Sequence, residues 1–251
     1  MQRPTIGQLR YFLKDSIRKT INFGHTDQSR GVPAPPIQKP YETGVQLITL
    51  SDFDKITCLN EISLNQAIIK RRSQRSYKSE SLSLEEISYL LYVTQGIRIK
   101  ISDNVALRTV PSAGARHPFE TYICATHIRD LQQGIYRYLP VEHKLFLHRS
   151  ESNLKSRLTH AAFGQDFVGN APAVFIWTTI PYRMEWRYGE AAHKAILLDA
   201  GHVCQNLYLA VQDISCGTCA VAAYDQEAMD QLLDLNTEEE FVIYLAPVGK
   251  I

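Results

Sequence analysis

The stretch "DAGHVCQNLYLAVQDISCGTCAVAAYD" (residues 199–225) joins two kinds of chain. Its first half continues an apolar run that begins near Glu190. Apolar side chains lie around most of its circumference, so the spacing predicts a long helix, Glu190 to Asp213, buried at the centre of the molecule. Its second half, "SCGTCAVAA", is made of small residues that let backbone come close to a neighbour or a ligand.

Two further helices announce themselves by their caps. Ser63 with Gln66, and Ser83 with Glu86, are capping-box pairs; the first opens "LNQAIIKRR" and the second "LEEISYLLYVTQ", which stops at Gly96. A last amphipathic helix is expected at "QEAMDQLLDL" (226–235). Apolar, β-prone runs stand at 121–126, 135–139, 145–148, 173–180 and 241–248, and the second and third face each other across "PVEHK" as a hairpin. The sum is an α+β fold: a mixed, mainly antiparallel sheet flanked by helices.

At 251 residues, with 45% hydrophobic and 21% charged residues, the chain suits a soluble globular protein with a substantial core. Residues 1–60 read as an N-terminal helix and the Pro-rich arm "GHTDQSRGVPAPPIQKPYET" (24–43), and residues 61–251 as the main domain. The amphipathic start lacks the apolar core of an export signal, and no apolar run is long enough to cross a bilayer. Five cysteines, an odd number, fit a reduced, cytoplasmic chain.

A net charge of +1 makes "KRRSQRSYK" (70–78) conspicuous, with five cationic side chains in nine positions. The neutral remainder argues against a nucleic-acid protein. Arg71, Arg72, Ser73 and Arg75 offer guanidinium forks and a hydroxyl, the donors that match phosphate oxygens, though a solvated helix end has the same composition. Pro111, Ser112, Ala113 and Gly114 form an irregular loop just before a strand. Cys216 and Cys219 form a CxxC, but no second ligand pair accompanies them, and no metal is expected. His202, on the long helix, reads first as a core histidine. Tyr182, Trp186 and Tyr188 suit aromatic stacking or plain core equally.

Taken in order, these motifs resemble the nitroreductase superfamily of FMN oxidoreductases, and within it the SagB-type branch that includes azoline dehydrogenases. The resemblance runs from Ser63 to the C-terminus, and the Pro-rich arm is similar to the one preceding that domain in the branch. It implies the nitroreductase-like fold as a domain-intertwined homodimer, with FMN at the subunit interface and NAD(P)H as a possible donor. It assigns Arg71, Arg72, Ser73 and Arg75 to the FMN phosphate and ribityl chain, and Pro111–Gly114 to the border of the flavin ring. Val221, Ala222 and Ala223 face the flavin edge by their backbone, Lys250 helps hold the phosphate, His202 contacts the flavin, and His117 lies by the substrate. Where azoline dehydrogenases carry a Lys-Tyr pair, this chain has Arg187 and Tyr188. Arginine stays protonated and is a poor base, which leaves Arg187 to bind or orient substrate and Tyr188 to relay a proton. The activity implied is electron transfer between a reduced donor and an organic acceptor; the alternatives are azoline oxidation in modified peptides and a non-catalytic flavin-binding subunit.

Overall fold

The computed structural model describes residues 3–251. Helix α1 (Ile6–Leu13) opens on a capping box between Thr5 and Gln8, and none of its residues is buried. Up to β1 (Leu47–Thr49) the chain makes short 3₁₀ turns and the proline arm. That arm is pinned to the domain. Arg108 donates to the Ile37 carbonyl at 2.7 Å, and Arg137 to those of Lys39 and Pro40 at 2.9 Å each.

Helix α2 (Leu64–Lys70) forms where expected, although only half of its capping box exists: the Ser63 hydroxyl accepts the Gln66 amide, with no return bond. In α3 (Leu84–Gln95) both halves close on Ser83 and Glu86. It stops at Gly96, which turns to an extended conformation and where only glycine fits, since a Cβ there would lie 2.6 Å from the Tyr92 carbonyl oxygen. Strands β2 (Ile97–Ser102) and β3 (Val105–Arg108) then pair as a separate ribbon.

The remaining elements follow in order. They are β4 (Phe119–Ala125), β5 (Gly134–Leu139), β6 (Lys144–Arg149), α4 (Leu154–Ala161), α5 (Asp166–Gly169) and β7 (Ala173–Thr179). Then come α6 (Tyr182–Tyr188), α7 (Ala192–Asp213), β8 (Cys216–Thr218), α8 (Gln226–Leu232) and β9 (Phe241–Lys250). Seven strands form one sheet in the order β1-β6-β5-β4-β7-β9-β8. All six ladders are antiparallel, and the parallel component is confined to isolated bridges such as Ser73 to Thr218.

All residues of β4, β5 and β7 are buried, because helices cover both faces. Alternation sorts the side chains. Ile123, Phe175 and Trp177 join the core shared with α3 and α7, whereas Tyr122, Val174 and Ile176 join that of α4 and α8. Helix α7 departs from the expectation of burial all round. Ile196, Val203, Leu207 and Val211 face the sheet, but Leu197 and Leu198 on the other side remain 48% and 58% exposed. The fold of one chain covers only one side of this helix. No helix among the described residues is long and apolar enough to cross a membrane.

Candidate functional site

The basic strip leaves α2 at Arg71 and runs beside β8, where Gln74 donates its amide to the Thr218 carbonyl at 2.9 Å. Tyr208 of α7 organises it. Its hydroxyl lies 2.9 Å from Ser73 Oγ and accepts the Ala220 amide at 2.8 Å, while the Arg71 guanidinium sits over its ring at 5.3 Å. Arg75 lies over the Phe167 ring at 5.8 Å. Among the described residues no carboxylate pairs with Arg71, Arg72 or Arg75. Three arginines within five residues of chain therefore lack an internal counterion.

Segment 220–223 lies on the other side of Tyr208. The Val221 amide bonds to Leu245, but among the described residues the exposed Ala222 and Ala223 amides find no acceptor in the chain. Tyr208 thus links the strip to this segment, and both carry donors without an acceptor in the chain. Sequence reasoning missed Tyr208, whose position nine residues after Asp199 on the helix carried no motif.

Lys250 is employed elsewhere. Its ammonium is ion-paired to Glu86 and donates to the Ile214 carbonyl at 3.0 Å. The same Glu86 carboxylate accepts the Ser83 amide in the α3 cap, so Lys250 bolts β9 to α3.

A second cluster surrounds the 111–114 loop. The Ala113 amide points at both oxygens of Asp199 on α7, 3.3 Å each, and the Ser112 side chain lies next to this carboxylate. Asp199 is buried, which raises its pKa against the lowering pull of those two donors. Gly114 adopts φ +60°, and a Cβ there would lie 2.6 Å from Tyr188 Oη and 2.8 Å from Arg187 Nε. Only glycine allows the loop to close on this pair. Tyr188 also lies under Arg18, 6.0 Å from its ring centre, and beside Arg187 at 5.6 Å.

His117 is buried at φ +44° and donates its amide to Ser112 Oγ at 2.9 Å. Burial, then Arg108, Arg116 and Arg183, push its pKa down to about 3. It lines a cavity of about 370 Å³ together with Arg98, Thr109, Pro111 and Ser112. Trp186 proves to be packing: it donates to the Val32 carbonyl of the arm and lies under Arg116. Tyr182 is half exposed and donates to Asp27. Cys216 and Cys219 are both buried, and burial pushes the Cys216 thiol up to about 12, far from a reactive thiolate. His202 lies on the exposed side of α7.

Within one chain the two clusters do not meet. Asp199 anchors the loop and Tyr208 the strip, nine residues or about 14 Å apart along α7.

Comparison with known proteins agrees with this fold. A protein of Methanocaldococcus jannaschii named as a nitroreductase is 32% identical over 192 residues, covering 76% of this chain and 93% of that one. The trifolitoxin-processing protein TfxF of Rhizobium leguminosarum is 33% identical over 121 residues, 47% of this chain and 38% of its own. Among solved structures, a nitroreductase-type protein of Anabaena variabilis superposes with a TM-score of 0.75 at 23% identity, over all of this chain and 48% of its own length. Another neighbour, from Desulfovibrio desulfuricans, was solved in complex with FMN, with a TM-score of 0.51 at 18% identity. The chain thus spans under half the length of two of these relatives. The Nitroreductase family model matches residues 68–250, which take in the strip, the loop, Arg187–Tyr188 and Tyr208. The chain belongs to the Nitroreductase family.

Proposed function

We propose that the protein is an FMN-dependent oxidoreductase, passing two electrons from a reduced donor to an organic acceptor. The observation that carries this reading is the cluster of Arg71, Arg72, Ser73 and Arg75, three cations without an internal counterion. A dianionic phosphate on a flat ring system is the ligand such a cluster and the adjoining free amides of Ala222 and Ala223 fit. FMN would supply the electron-carrying chemistry. The chain would supply the phosphate clamp, a backbone edge at 221–223, and Tyr188 to hold or move a proton beside the substrate. Arg187 would orient an anionic substrate group.

The working unit in this proposal is a homodimer. The phosphate cluster and the loop cluster lie in opposite halves of α7, and Leu197 and Leu198, next to Asp199 in the chain, stand uncovered, as do Ile68 and Ile69 of α2, a helix that packs on α7. A two-fold axis across that face brings the strip of one protomer to the loop of the other, giving two equivalent sites. Residues 1–60 then serve as the arm, residues 61–251 as the flavin domain, and the cytoplasm as the location.

Azoline oxidation is the second reading, favoured by the TfxF similarity. The arginine at position 187 weighs against it, because that chemistry uses a lysine there in the branch this chain resembles.

A flavin titration tests the phosphate clamp. Wild type is expected to prefer FMN to riboflavin, and Arg75→Ala to lose about ten- to a hundredfold in FMN affinity, the equivalent of roughly 1.5–3 kcal/mol for a charged hydrogen bond. Riboflavin affinity should stay unchanged. Equal losses for both ligands, or none for either, overturn the assignment.

A further inference from the structure

The proline arm roofs a cavity that belongs to neither cluster. It has a volume of about 600 Å³. Its apolar walls come from Pro35, Pro36 and Pro40 of the arm and from Ile180, Pro181 and Phe241 of the domain. The roof is fixed, because Lys39 donates its amide to Glu120 at 2.8 Å and its ammonium to Glu240 at 2.5 Å. Beyond Tyr182, Glu185 and His193, which line both, lies a second cavity of about 500 Å³ bounded by Asn22, Asp27 and Glu190. Each has the size of an ordinary small-molecule site, roughly 300–1,000 Å³, so the pair together suits something longer.

The charges along this trough do not cancel. Its two fully cationic side chains are already neutralised, Lys39 by Glu240 and Arg183 by Glu120, each at 2.5 Å. Among the described residues Glu238 and Glu239 take part in no ion pair, and Glu185 faces only His193, at 2.8 Å. The trough therefore combines an apolar floor with uncompensated carboxylates. Its proline walls lack the N–H groups that would add a strand, so recognition falls to side chains. Lysine and arginine match that pattern, with an apolar stem and a cationic head.

From these observations we infer that the trough between the arm, α6 and the start of β9 docks an extended basic segment of another polypeptide. The segment lays its aliphatic stems on Pro35, Pro36 and Phe241 and its cationic heads on Glu185, Glu238 and Glu239. This site lies at the far end of β9 from the arginine strip, about 30 Å away by strand length, and has the opposite charge. The inference is independent of the flavin reading.

Fluorescence anisotropy of the full chain with a labelled decapeptide of alternating Lys and Ala tests it. Binding is expected at low salt, with no binding of the Glu-Ala counterpart. Glu238→Gln/Glu239→Gln should weaken it at least tenfold, whereas the remote pair Glu61→Gln/Glu227→Gln should leave it within twofold. Three results would each overturn the proposal: no binding of the Lys peptide, equal losses in both double variants, or displacement by spermine at an affinity matching that of the peptide. The last would reassign the trough to small cations.

Discussion

At the scale of single residues, the strip "KRRSQRSYK" was legible because its charge density contradicts the composition around it. What organises the strip was not. Tyr208 looks like one more aromatic on an apolar helix, and only the fold brings its hydroxyl to Ser73 and Ala220. Tyr208→Phe keeps the ring under Arg71 and removes that link, so FMN affinity should fall on the order of tenfold, about 1.4 kcal/mol, with the circular dichroism spectrum unchanged. An unaltered titration would reduce the hydroxyl to a structural role. His117 gives a pH prediction. Its pKa lies near 3 in the folded chain against an ordinary 6.5, so below about pH 6.5 the unfolded chain takes up a proton that the folded one refuses. Stability should fall as pH drops from about 6.5 towards 3, by at most about 1.4 kcal/mol per pH unit, and this contribution should level off below 3. Urea unfolding of His117→Gln at a series of pH values should show a shallower slope than wild type; identical slopes would assign the acid sensitivity to other groups.

Elements were read with uneven success, and the reasons are physical. The five long strands carry near-continuous apolar runs because helices cover both faces of the sheet, and such runs are visible in any sequence. Strand β8 is three residues long with a glycine at its centre, and β1 is equally short; both exist only because a neighbour offers a ladder. The β2–β3 ribbon was overlooked although "IRIKIS" alternates, because its outward Ile99 and Ile101 have no core to announce. Helix α7 was placed correctly and its burial overstated, since periodicity reports apolar faces without saying what covers them. The resemblance assigns Lys250 to the phosphate, and in this chain its ammonium pairs with Glu86. Lys250→Met should leave that carboxylate buried and unpaired, costing about 3 kcal/mol in denaturant unfolding with FMN affinity preserved. Adding Glu86→Gln should recover part of the loss. Loss of flavin affinity without loss of stability would restore Lys250 to the phosphate site.

At the scale of the whole molecule, the uncovered face of α7 is the feature that asks for a second chain. Replacing Leu198 by Arg places a charge in the middle of the proposed interface while touching nothing in the core of one chain. Sedimentation should then show a monomer, and flavin should be lost with the proposed dimer, where each protomer supplies half of the site. A variant that stays dimeric would move the interface elsewhere. The sheet order carries another consequence. Strand β9 is the last in chain order, yet it sits between β7 and β8 and bonds to both. Some sixty residues of chain separate β7 from β9, so this pairing is among the most non-local in the protein. During synthesis the apolar edge of β7 must therefore wait, unpaired, until the final strand has left the ribosome. A nascent chain stopped short of Phe241 presents that edge to any passing strand, and such stalled or truncated forms are the ones to expect in aggregates and on chaperones.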